Sequence, residues 1–321
     1  MTPAVRARRI LLLHGGLALL LLLCQFALPD YHHTNFVSIM VLAVYAMGYN
    51  LLVGYTGLLS LGHAMFFAAG LYGAGMGVYY FAWNPVIAFV IGAVAGLVLA
   101  VLVGLIALRT SGVAFMIVTM MFAQAAFLTT LYFNDVTHGD EGLTLTQAAR
   151  SFTLFGTVVD LTNPAIRYNL AWGLFAASLC AMLLVVLSPI GRVLVAIREN
   201  EERTRMLGYD VRRYKLAALG VSGLFSGAAG AAYVLFFGYV GSSFAAIPYS
   251  IYPLLWVLLG GVGTVAGPIV GTLLMFYLVE ITRDYSSSYM IVVGATLLVL
   301  VLFFPKGIIG SWRARGQGWI P

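Results

Sequence analysis

Between Tyr31 and Leu108 the chain contains no Lys, Arg, Asp or Glu. A water-soluble domain carries about 25% charged residues spread along its length. Here the whole chain carries 9%, against 62% hydrophobic residues, and the mean hydropathy is +0.98. The uncharged runs show no alternation of period two, and a backbone in lipid must satisfy its hydrogen bonds internally. The expected fold class is therefore an all-α integral membrane protein. We read it as a polytopic helical bundle of about 8–10 transmembrane segments, forming one transmembrane domain over residues 1–321.

The charges that do occur are concentrated. Ser188 to Lys215 holds Arg192, Arg198, Arg203, Arg205, Arg212, Arg213 and Lys215, with Glu199, Glu201, Glu202 and Asp210 among them. A loop this polar lies in water, and its basic excess places it on the cytoplasmic side. Arg6, Arg8, Arg9, Arg109, Lys306, Arg313 and Arg315 can then lie inside too, which puts both termini in the cytoplasm. The net charge of +6 thus reports topology rather than a nucleic-acid partner. Within the loop, Arg192 to Leu207 is expected as one helix, with Gly208 as the left-handed residue beyond its end. Val193, Leu194, Ile197, Met206 and Leu207 would fold its ends against the membrane domain and leave a charged middle for a partner. An ordinary solvated loop fits the same residues.

Along the chain, Ile10 to Leu28 is read as a retained first span, since no small-residue cleavage site follows it. Phe36 to Phe81 is apolar but broken at Gly54 to His63 by three glycines, Thr56, Ser60 and His63. Non-helical backbone at membrane depth is tolerated only when packed in protein or lining a cavity, so this is a pathway element or, alternatively, a plain turn between spans. Pro85 to Leu108 follows, with Gly92 and Gly96 spaced for close helix contact. Gln124, in Val113 to Phe133, must face a helix or a cavity rather than lipid. Residues 134–165 form a net acidic loop on the outer side, and Ile166 to Leu187 returns inward. Leu216 to Val240 offers a small face at Gly223, Gly227 and Gly230. Tyr249 to Thr282 is too long for one untilted span and breaks at Gly260 to Pro268. Two short segments there let the last span, Met290 to Phe304, run inward and keep the basic tail inside. Glycine-broken elements in two halves point to a transport site between pseudo-repeats. Cys24 and Cys180 are read as small packing residues.

The blocks Tyr49 to Phe67, Ser188 to Arg192, Ala196 to Asn200, Leu207 to Tyr209, Tyr214 to Leu216, Leu259 to Thr264 with Gly267-Pro268, and Leu302 to Gly307 resemble, in order, the LivM-type permease subunits of branched-chain amino acid ABC importers. The outer loop departs from that pattern: His138-Gly139-Asp140-Glu141-Gly142 stands where the family usually has Thr-Gly-Gly-x-x-Gly. The resemblance implies a permease of the bacterial inner membrane working with a second, LivH-type permease, two cytoplasmic ABC ATPases and an extracytoplasmic substrate-binding protein. It implies that Arg192, Arg198, Glu199, Asn200, Gly208 and Lys215 belong to an ATPase-coupling segment. Gly57, Ser60, Gly62, His63, Gly260, Gly261, Gly263 and Thr264 would line or support the translocation path, with Gln124 a further candidate.

No Gly-x-x-x-x-Gly-Lys-Ser/Thr loop is present, so the chain is expected to hold no cofactor, with ATP and Mg on the partner subunits. No nucleophile, metal set or carboxylate dyad suggests an enzyme. The competing class is an ion-gradient-driven transporter or a channel for a small polar solute such as urea or an amide. Such carriers commonly bury acids in their spans, whereas here every acid lies in a loop or at a span edge, Glu280 being nearest to an exception.

Overall fold

The computed structural model describes residues 3–27, 29–154, 157–285, single positions between 291 and 303, and 306–315. The protein is a multi-pass helical bundle. Seven of the described helices are long and apolar enough to cross a membrane. They comprise α1 (Pro3–Ala27), α2 (Asp30–Asn50, prolonged by a π-helical turn over Leu51–Thr56), α3 (Ala64–Phe81), α4 (Pro85–Ala107), α5 (Gly112–Tyr132), α7 (Pro164–Leu187) and α10 (Val211–Phe237). The shorter pair α11 (Ile247–Gly260) and α12 (Gly267–Tyr285) forms the second broken element. Of the expected last span, Met290 to Phe304, only single positions are among the described residues.

α2 and α10 form the centre. In the span Tyr31–Thr56, 89% of the most apolar window is buried within the protein, against 17% for α1 and for α5. Since lipid is as apolar as leucine, what holds α10 in place is close backbone approach rather than apolar burial. A Cβ at Gly96 would stand 2.6 Å from the Gly223 carbonyl and 2.6 Å from Gly227 Cα, so the small faces expected on α4 and α10 meet each other. The first span, α1, is strapped antiparallel to α7 by Tyr168 Oη to Leu21 O at 2.5 Å and Trp172 Nε1 to Ala18 O at 2.8 Å. That pairing puts the start of α1 at the same end of the bundle as the charged loop after α7.

The short helix α13 (Ile308–Ala314) lies at that end as well, because Gly310 packs on Gly261. At the opposite end lie α6 (Asn134–Thr137), the hairpin β2 (Ser151–Leu154) with β3 (Thr157–Asp160), and β1 (Leu143–Thr144) paired with β4 (Tyr239–Val240). The acidic outer loop is thus partly sheet, which composition did not reveal. Its departing motif is a tight turn: Gly142 N donates to His138 O at 3.0 Å, and Ser242 Oγ donates to Asp140 Oδ1 at 2.7 Å.

The charged loop differs from the expected single helix. It is two helices, α8 (Pro189–Glu199) and α9 (Glu201–Met206), hinged at Asn200, whose φ of −160° is extended. Asn200 Oδ1 accepts from Arg203 N at 2.9 Å, and a carboxamide cap of this kind starts a new helix rather than continuing the old one. Only one end folds back. Val193, Leu194 and Ile197 are buried, while Met206 and Leu207 are 81% and 76% exposed, because the hinge re-aims α9 so that Thr204 rather than its apolar end is covered.

Candidate functional site

The first break begins as α2 ends. Its last turn is π-wound, with Thr56 Oγ1 donating to Leu51 O at 2.9 Å, and Gly57 closes it at φ +74°, a left-handed position that suits glycine. From Leu58 the chain runs as an irregular, largely buried strand among the helices, bending at Leu61 and turning at His63, until α3 starts at Ala64. Its polar groups are satisfied by neighbouring helices, as buried backbone requires. Tyr49 Oη donates to Ser60 O at 2.9 Å, Leu61 N to Thr119 Oγ1 at 3.3 Å, Gly62 N to Ser60 Oγ at 3.2 Å and Ala64 N to Ser250 Oγ at 2.9 Å. The break is therefore neither a surface turn nor a loose loop. It is a buried, fully braced strand of chain.

His63 ends it. The imidazole is fully buried, stacked on Tyr45 and edge-on to Tyr49 and Phe66. Beyond the break, α3 and α5 leave an open cavity of about 430 Å³ between them, lined by Met65, Ala68, Tyr72, Thr129 and Thr130 among others. Gln124 is half-buried on α5 and is not on that lining. It makes no hydrogen bond among the described residues.

The second break joins α11 to α12 through Gly261 and Gly263, both at positive φ (132° and 69°). Thr264 organises the turn: its Oγ1 donates to Gly261 O at 2.8 Å and accepts from Gly267 N at 3.2 Å. Gly260 lies against Gly267, where a Cβ would stand 1.8 Å from the carbonyl oxygen.

The two breaks touch. Asn50 Oδ1 accepts from Gly263 N at 3.0 Å, and Asn50 Nδ2 donates to Thr264 O at 2.9 Å. One turn on, Gly54 approaches so closely that a Cβ would stand 2.6 Å from Gly263 N. Arg198 of α8 reaches the same place. Its Nη1 donates to Gly54 O, and its Cγ lies 3.1 Å from where a Gly57 Cβ would be. From α13, Arg313 Nη1 donates to Gly263 O at 3.0 Å. Arginine suits these positions because the carbonyls at a helix C-terminus carry partial negative charge and lack intrahelical partners.

The remaining loop residues are placed differently. Arg192, Glu199 and Gly208 are exposed, and Gly208 takes φ +88° after α9. Lys215 is largely covered, its Nζ 2.5 Å from Glu201 Oε2, which ties α9 to α10. The structure thus gathers Gly57, Arg198, Gly263 and Thr264 at one joint, with Gly260 and Gly261 beside it. Ser60, Gly62 and His63 lie along the braced strand, Arg192, Glu199, Asn200 and Gly208 face outward, and Lys215 is covered beside Glu201. Asn50, Arg313 and Ser222, whose hydroxyl lies 3.0 Å from His63 Nε2, escaped the sequence reading as site residues. Asn50 was signalled only as a lone carboxamide in a hydrophobic span, the very feature that drew attention to Gln124.

The comparisons agree with this architecture. Residues 34–302 match the family model described as the permease component of the branched-chain amino acid transport system. The chain is 29% identical over 301 residues to the high-affinity branched-chain amino acid transport system permease protein LivM of Escherichia coli K12, covering 86% of this chain and 69% of that protein. The corresponding LivM of Salmonella typhimurium is 28% identical over the same shares. A probable LivM of Methanocaldococcus jannaschii is 27% identical over 38% of this chain and 40% of its own length. No solved structure matches significantly. With most of its length matched by that family model, and with a bundle of membrane-spanning helices to fit it, the chain belongs to the branched-chain amino acid transport permeases of LivM type.

Proposed function

We propose that the chain is one of two permease subunits of an ATP-binding-cassette importer that carries branched-chain or related hydrophobic amino acids across the bacterial inner membrane. Two cytoplasmic ATPases, which bind ATP and Mg, drive it. An extracytoplasmic binding protein delivers the solute, and a LivH-type permease completes the pathway. The basic termini and the α8–α9 loop face the cytoplasm, as the positive-inside rule favours.

The observation that carries this reading is the form of the charged loop. One helix, α8, is seated on the bundle through Val193, Leu194 and Ile197, while α9 leaves Met206 and Leu207 bare to solvent between charged neighbours. Large apolar side chains exposed at the tip of a charged loop suit a protein groove better than water. Such a loop passes movement of a docked subunit to the helices on either side. The solute would pass the braced strand at Ser60 to His63 and the cavity between α3 and α5.

The test is Met206→Glu with Leu207→Glu in the purified complex. Both side chains are exposed, so folding should change by no more than about 0.5 kcal/mol. Loss of ATPase subunits from the complex, together with loss of ATP-dependent uptake, is expected. Retention of both would refute the docking assignment.

A further inference from the structure

The joint between the two breaks does more than fill space. Each break ends a helix and so leaves carbonyl groups without intrahelical partners. At Gly54, in the last turn of the first helix, such a carbonyl is taken by Arg198 from α8, and the carbonyl of Gly263, in the turn between α11 and α12, is taken by Arg313 from α13. Higher in the bundle the two broken elements are joined by Tyr45 Oη to Tyr249 O and by Ala64 N to Ser250 Oγ, but at the second turn itself, Gly261 to Thr264, Asn50 makes the described side-chain hydrogen bonds that reach it from the first element. Its carboxamide accepts from Gly263 N and donates to Thr264 O, the two-point pattern that one extended backbone offers another. Asn50 itself is fully buried on α2, with both polar ends paired, so it cannot let go of one partner cheaply.

We propose that Asn50 is the positioning residue that makes the two broken elements move as one body with α8. A displacement of α8 pulls on Gly54 through Arg198, and Gly54 lies four residues after Asn50, in the π-wound turn that prolongs the same helix. Asn50 then carries the displacement across to Gly263 and Thr264, hence to α11 and α12. Arg313 holds the far side of Gly263 and keeps α13 in register with the movement. Without the carboxamide, α8 would still move the first break, but the turn at Gly263 and Thr264, left with packing against Gly54, would follow it less closely. This inference rests on the reading of α8 and α9 as the docking site of the ATPases.

The experiment uses the complete transporter in proteoliposomes and measures leucine uptake and ATP hydrolysis together. Before any variant, the parent complex must retain its ATPases and need nucleotide for uptake; if it does not, the importer reading fails and the fault lies there. With that established, Asn50→Leu is expected to lower the solute carried per ATP hydrolysed by about tenfold, the size of a typical coupling between sites, while the complex stays assembled. Arg313→Met, which loosens the same joint from α13, should lower the ratio in the same direction and serves as the readout if Asn50→Leu does not assemble. An unchanged ratio in the variants that assemble, including uptake and hydrolysis falling in proportion, would overturn the proposal and leave Asn50 a structural residue.

Discussion

His63 Nε2 lies 3.0 Å from Ser222 Oγ, and the Ser222 hydroxyl donates to Gly48 O at 2.5 Å. A hydroxyl has one proton, so with that proton given to Gly48 the imidazole is the donor to Ser222. His63 Nδ1 then carries no proton and has no hydrogen-bond partner among the described residues. The ring joins α10 to the end of the braced strand as a neutral donor, and it meets no carboxylate through which a proton could be relayed.

His63→Gln places an amide donor where Nε2 stood and should retain transport within about twofold between about pH 6 and pH 8. His63→Leu strands Ser222 and should lower stability by about 1–3 kcal/mol. Uptake and thermal unfolding of the two variants check this. A pH-dependent loss confined to His63→Gln would restore a proton-linked role.

Gly62→Ala should be far more damaging than its single methyl suggests. The added Cβ would stand 2.1 Å from the carbonyl oxygen of Thr119 on α5, and neither backbone can step aside without opening the braced strand. A cost of about 1–3 kcal/mol is expected from such overpacking, read as a lower unfolding temperature in detergent. Gly173→Ala, with nothing within 4 Å of the new Cβ, is the matched control and should be silent.

Asn200→Ala removes the cap of α9 and should cost that helix about 1 kcal/mol. The covered Lys215–Glu201 pair still tethers it, so α9 should loosen without detaching. Hydrogen exchange at Arg203 and Thr204 should rise while α8 stays protected. If both helices lose protection together, the hinge at Asn200 is not the boundary between them.

Asp160 accepts from Thr162 N at 2.8 Å and from Thr162 Oγ1 at 2.7 Å, and these donors hold its carboxyl below the ordinary carboxylate value. A depressed folded pKa gives stability that is complete above the unfolded value of about 3.9. That stability disappears as pH falls through the lower folded value. The turn joining β3 to α7 should therefore hold at neutral pH and loosen in acid. Asp160→Asn should flatten that acid limb of the unfolding curve.

What the sequence alone decided was the solvent and the places where helices must stop. A run from Tyr31 to Leu108 without a charge can only be satisfied by helices in lipid. Gly57 and Gly261 end helices because they take backbone angles that side chains resist. The charged loop after Ser188 must face water, and the family blocks lie in order along the chain. Tertiary structure decided which of these features meet. Asn50 and Gly263 are over two hundred positions apart, and no local pattern links a lone carboxamide to a distant turn. Arg198 is expected from the sequence in a segment that meets a partner subunit, yet its guanidinium donates to Gly54 O, because the bare carbonyls of a broken helix attract the nearest cation. Met206 and Leu207 read as the buried end of a helix and are exposed, because Asn200 caps a new helix before them. Local propensity sets where a chain bends, but which groups the bend brings together depends on unpaired polar atoms that exist only once the helices have packed.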